Sequence, residues 1–186
     1  DDRVEGGDGN DSVEGDGGND RIDGGSGNDT LRGEGGRDTV FGGWGDDVIR
    51  GGADNDTLDG GGGNDTIYGG AGADTIEDFA GSNRIEGGGG ADTITGGQDD
   101  DRIAGDSGND VIRGMGGDDQ IAGGSGSDKL AGGSGNDFIE GEGGDDDISG
   151  NQGNDLLFGG SGDDKLGGDA GADRLDGGNG AARLSG

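Results

Sequence analysis

A chain of 186 residues is long enough for one or two ordinary domains, but 57 glycines, an apolar share of 23% and a net charge of −31 rule out an ordinary packed domain. His and Cys are both absent, which removes the usual zinc ligands, the usual general base, a disulfide framework and thiol metal sites. The negative charge argues against nucleic acid or an anionic membrane as partner, and no apolar run approaches the length of a membrane span.

Taken without order, this composition reads as a disordered tract. The order of the residues says otherwise. The chain opens at Asp1 without an initiator Met or a signal peptide, which reads as a piece cut from something longer. DDRVE is the back half of a nine-residue block. From Gly6 the blocks follow without insertion: GGDGNDSVE, GDGGNDRID, GGSGNDTLR, GEGGRDTVF, GGWGDDVIR, GGADNDTLD, GGGGNDTIY and GGAGADTIE. One irregular block, DFAGSNRIE at 78–86, comes next, and the register then resumes to Gly186. The whole chain, 1–186, is therefore one continuous repeat unit.

The eighth position of the block is Val, Ile or Leu in all 21 instances, from Val4 to Leu184. A disordered polar tract has no reason to hold its aliphatic residues in register. Asp holds the sixth position in 19 of 21 instances, the exceptions being Asn83 and Ala182. Gly fills the fourth in 18 of the 20 full blocks, with Asp54 and Asp99 departing.

Physical chemistry turns this pattern into structure. Positions seven to nine predict a three-residue strand with the aliphatic residue inward and its neighbours outward. Thr is frequent at the outward seventh position, as suits a strand, and Thr39, Thr57, Thr75 and Thr93 recur at 18-residue spacing. The preceding six residues predict a glycine-rich turn that lets backbone carbonyls approach an ion closely. Such short strands must stack to be stable. One buried aliphatic for nine ordered residues, many of them glycine, does not offset the conformational entropy, so the metal-free chain is expected to be unfolded.

Charge points to the same place. Eleven of the twelve basic residues lie in the strands, and only Arg37 lies in a turn, so the turns carry about −33 between them. Oxygen-only donors in glycine turns suit calcium, which takes six to eight carboxylate and carbonyl oxygens, better than magnesium or a transition metal.

The repeat GGxGxDxUx, with U aliphatic, resembles the RTX (repeats-in-toxin) calcium-binding nonapeptide, and the resemblance covers the entire chain. It implies an all-β fold, a right-handed parallel β-helix (β-roll) solenoid with two nonapeptides per turn and about ten rungs, on the order of 50 Å long at the usual strand spacing. It also implies ions between the turns of adjacent rungs, with sixth-position aspartates 18 apart sharing each ion. The implied ligands are Asp11, Asp20, Asp29, Asp38, Asp47, Asp56, Asp65, Asp74, Asp92, Asp101, Asp110, Asp119, Asp128, Asp137, Asp146, Asp155, Asp164 and Asp173. About fifteen Ca2+ ions would supply roughly +30, close to the turn charge.

The irregular block loses its two opening turn glycines to Asp78 and Phe79 and its ligand to Asn83, and reads as a weak or empty metal site. Phe138, Leu156 and Phe158 predict a small outward apolar patch suited to a lateral contact, whereas Phe41, Trp44 and Tyr68 look isolated. The acid runs Asp99–Asp101 and Asp145–Asp147 read as extra metal affinity or solvated charge, since a convex repeated rod offers no substrate cleft.

Together these readings describe a non-enzymatic, calcium-folded rod of a secreted or cell-surface protein. In related proteins such repeats accompany type I secretion. Two alternatives stay open: a segment of a self-assembling filament, surface layer or adhesin stalk, and the accessory domain of a secreted hydrolase or toxin. Calcium is the expected partner, with end-to-end or lateral self-association as a further expectation.

Overall fold

The computed structural model describes all residues from Asp1 to Gly186 and contains strands and turns but no helix. Strands alternate between two parallel sheets, one of eleven strands and one of ten. Arg21–Ser26 lies in the larger sheet, the next strand Thr30–Gly35 in the smaller, and Thr39–Trp44 returns to the larger. One nonapeptide thus crosses from sheet to sheet, and two complete a turn of the solenoid. Register is uniform: Ile22 pairs with Val40, Ile85 with Ile103 and Leu130 with Ile148, each 18 residues on. The expected parallel β-solenoid of about ten turns is what the chain forms.

Strand length departs from the sequence expectation. Most strands are six residues long, such as Arg21–Ser26, because pairing continues through the first three positions of the next block. Glycine is a poor strand former alone. Here Gly25 sits at φ 104° and stacks on Gly7, whose carbonyl oxygen occupies the space a Cβ would need. Absence of a side chain is what allows the rungs to close there. The turn proper shrinks to positions four to six, for example Gly27–Asn28–Asp29. Thr75–Glu77 is cut to three residues where it meets Asp78, and the strands from Leu156–Phe158 onward are equally short.

Alternation along each strand sends positions six, eight and one inward. Seventeen eighth-position aliphatic residues, from Ile22 to Leu166, form one continuous core with no member more than 2% exposed. Val13 and Leu175 flank it, partly buried. The sixth-position aspartates from Asp20 to Asp164 are buried beside that core, at the two edges where the chain passes between sheets. This feature sets the functional question, because ionised carboxylates do not belong in an interior without a partner.

On the outer faces Thr39, Thr57, Thr75 and Thr93 are direct cross-strand neighbours, an ordinary strand ladder. Phe138 pairs with Leu156, and its ring lies 5.7 Å from that of Phe158. Phe41 and Tyr68 are not isolated: Arg21 lies 4.4 Å over the Phe41 ring and Arg50 lies 4.9 Å over that of Tyr68. Trp44 is 75% exposed.

Candidate metal centres

Each sixth-position aspartate closes the turn between two strands and turns its carboxylate inward. Its Oδ1 accepts a hydrogen bond from the backbone N–H of the aspartate one rung earlier. Asp119 N–H donates to Asp137 at 2.9 Å, and Asp137 N–H donates to Asp155 at 2.9 Å. The opposite edge repeats the arrangement, Asp92 to Asp110 and Asp110 to Asp128, each at 2.8 Å. Aspartates 18 apart are thereby locked into two continuous ladders, one along each edge of the rod. Backbone donors fix one oxygen of every carboxylate and aim the other into the interior.

That second oxygen has no partner. Eighteen buried Oδ2 atoms lack any hydrogen bond, on Asp11, Asp20, Asp29, Asp38, Asp47, Asp56, Asp65, Asp74, Asp78, Asp92, Asp101, Asp110, Asp119, Asp128, Asp137, Asp146, Asp155 and Asp164. Buried polar atoms are almost always satisfied, and an orphaned buried charge is costlier still. At most of these sites the Oδ2 and the carbonyl oxygen of the first-position glycine one rung later meet beside the first-position glycine of the aspartate's own block. A Cβ on Gly51 would stand 2.5 Å from Asp56 Oδ2 and 2.6 Å from the Gly69 carbonyl oxygen. On Gly15 it would stand 2.8 Å from Asp20 Oδ2 and 3.0 Å from the Gly33 oxygen. Carboxylate and carbonyl oxygens therefore converge beside a glycine whose missing Cβ leaves them room. Nowhere do three acidic side chains gather at one point, so the donor set is carboxylate plus backbone carbonyl. Calcium accepts that mixture, and the residues present fit it.

Burial dominates the electrostatics of these carboxylates. Burial raises the carboxyl pKa of Asp56 and Asp119 to about 7, and of Asp47, Asp92, Asp101, Asp110, Asp137 and Asp146 to about 6. The N–H bond from the preceding rung opposes the rise, and neighbouring carboxylates add to it. These groups would hold protons that a bound cation would displace.

Seventeen of the eighteen expected ligands carry such an orphan oxygen. The other, Asp173, is half-buried; its Oδ1 accepts the Asp155 N–H at 3.0 Å. Asn83 keeps its place in the ladder by accepting the Asp65 N–H at 2.9 Å, but its Nδ2 turns to the Gly81 carbonyl at 3.0 Å. Asp78 was not among the expected ligands, yet it is fully buried with an orphan Oδ2. The acid runs do not converge: Asp101 and Asp146 join the buried ladders while Asp99, Asp100, Asp145 and Asp147 face outward.

A second ladder escaped the sequence reading. Fifth-position Asn and Asp side chains accept from the backbone N–H one rung later: Asn10 from Asn28 at 3.0 Å, Asp118 from Asn136 at 2.6 Å, Asn136 from Asn154 at 3.0 Å. Frequent Asn or Asp just before the ligand was the available signal. Turns favour Asn and Asp in general, so composition alone does not single it out.

A parallel solenoid with two edge columns of orphaned, cation-seeking carboxylates is a metal-binding repeat scaffold. The RTX calcium-binding nonapeptide repeat matches in overlapping copies over residues 1–31, 14–49, 23–58, 41–76, 77–112, 95–130, 123–157 and 149–184. The chain belongs to that family. No curated protein matches it.

Proposed function

We propose that this chain is a calcium-folded structural rod that works outside the cell, where millimolar calcium is available, and that it is not itself an enzyme. The observation that carries the reading is the set of eighteen buried Oδ2 atoms without a partner. Sixth-position aspartates from Asp11 to Asp173 would hold about fifteen ions, each between adjacent rungs. With low calcium the edge columns repel and the thin core does not hold; with calcium the columns are neutralised and the strands stack. Such a chain stays unfolded during export and folds on arrival, which suits a secreted or cell-surface protein that leaves by type I secretion.

Circular dichroism against free calcium tests this. Coil is expected in excess chelator, and β structure at about 10⁻⁴–10⁻³ M calcium, the range of extracellular modules. A β spectrum that persists in chelator at neutral pH would sink the proposal.

A further inference from the structure

The irregular block is where the array departs from its own rule. In a regular column the oxygen that meets a sixth-position Oδ2 beside the first-position glycine is a backbone carbonyl from the next rung. Gly42 follows that rule with Asp47 Oδ2 and the Gly60 carbonyl oxygen. Gly60 does not. Beside it lie Asp65 Oδ2 and, nearer still, the side-chain Oδ2 of Asp78. Asp65 is 1% exposed and Asp78 0%, and both oxygens lack any hydrogen-bond partner. Asp78 thus stands where its own block should have a glycine, and its carboxylate reaches back into the site of the preceding rung.

Its own block shows the complementary loss. Asn83 replaces the ligand carboxylate, and its amide Nδ2 is spent on the Gly81 carbonyl. The Cβ of Asp78 takes the space a first-position glycine leaves open elsewhere. A carboxylate has moved from one site to its neighbour.

The geometry points to Asp65 and Asp78 together holding one calcium ion more firmly than any regular site of the array, while the block 78–86 holds none. This rests on the calcium reading above. The physical reason is ligand charge: the regular site presents one inward carboxylate oxygen and a neutral carbonyl, this one two buried carboxylates, and calcium affinity rises with the charge of its ligands. Differences in affinity between related sites appear mainly in dissociation rate. The substitution that looks like a defect therefore marks the anchor of the array, with a metal-free rung directly beside it.

Exchange of radioactive calcium against excess unlabelled calcium tests this, because the rod stays folded throughout. In the native chain one ion is expected to leave about tenfold more slowly than the rest. Asp78→Asn should abolish that slow ion and leave the others unchanged. Asp78→Gly/Asn83→Asp restores the first-position glycine and the ligand of the block, so it is expected to bind at least as many ions as the native chain and to show no slow one. A slow ion that survives in both variants, or a native chain whose ions all leave at one rate, overturns the assignment of Asp78. A native chain that binds no radioactive calcium overturns the calcium reading itself, and this inference with it.

Discussion

Two kinds of stack share the interior of this rod, and they are not equally complete. The aliphatic stack from Ile22 to Leu166 is closed: its side chains pack on their own kind from rung to rung, and the protein supplies both sides of each contact. Either aspartate ladder is only half made. Its Oδ1 atoms are satisfied by backbone N–H groups, its Oδ2 atoms by nothing in the chain. The same 18-residue register builds both, so the difference lies in what each side chain needs when stacked. An isoleucine needs another isoleucine; an aspartate beneath an aspartate needs a cation.

Protons offer the most drastic way to break that contrast. The metal-free ladders have carboxyl pKa values raised from 3.8 to about 6 or 7 at Asp47, Asp56, Asp119 and Asp137, so the folded state binds protons that the unfolded chain has released. Stability of the metal-free fold is then fully present below about pH 4 and lost as pH rises to about 7. In calcium-stripped buffer, β signal should appear on acidification across that window. A spectrum that stays coil down to pH 4 would show that the carboxylates are not what opposes folding.

A narrower cut separates the two oxygens of one ladder member. Asp137→Ala removes both the acceptor for the Asp119 N–H and the inward oxygen. Asp137→Asn keeps the acceptor, as Asn83 does, and loses only the charge. With one inward carboxylate per site, both variants are expected to lose one ion by equilibrium dialysis, and a loss of two would show that aspartates 18 apart share each ion. Asp137→Ala should also need more calcium to fold than Asp137→Asn. Unchanged stoichiometry in both would refute ligation by Asp137.

How much of this contrast could be read from the sequence follows from periodicity. Both stacks were legible because Val/Ile/Leu and Asp recur without slippage, and a strict nine-residue period admits few ways to superpose them. Continuation of the strands through Gly24–Gly25–Ser26 was not legible, since glycine propensity argues against it and only rung-on-rung stacking reverses the balance. Nor was the role of Asp78. Along the sequence, DFAGSNRIE shows two glycines and a ligand lost; only in space does the carboxylate at 78 arrive beside Asp65.

The closed stack should fail in a different way. Ile103 is buried at 1% exposure between Ile85 and Ile121. Ile103→Ala leaves a cavity that the fixed rung spacing cannot collapse, and should cost about 2–5 kcal/mol in calcium-saturated denaturant unfolding. Calcium stoichiometry should not change, because no ligand moves. A lost ion in this variant would mean that the two stacks are not separable.

The smallest expected effect belongs to the outer ladder, and it sharpens the contrast by adjacency. Asn136 and Asp137 are sequence neighbours with opposite fates: the carboxylate of Asp137 points inward and accepts from the rung before, whereas Asn136 faces solvent and its Oδ1 accepts from Asn154 in the rung after, at 3.0 Å from N and 2.9 Å from Nδ2. Both ladders tie the same turns in opposite directions, but only the inner one leaves an oxygen over. Water can replace what Asn136 provides, so Asn136→Ala should cost about 0.5–1.5 kcal/mol, the net worth of an ordinary hydrogen bond. Calcium stoichiometry should stay at the native value, and the calcium midpoint should shift only as far as that lost stability requires. If Asn136→Ala instead sheds an ion, the outer ladder is part of the metal site and the division between structural and cation-seeking oxygens fails at this turn.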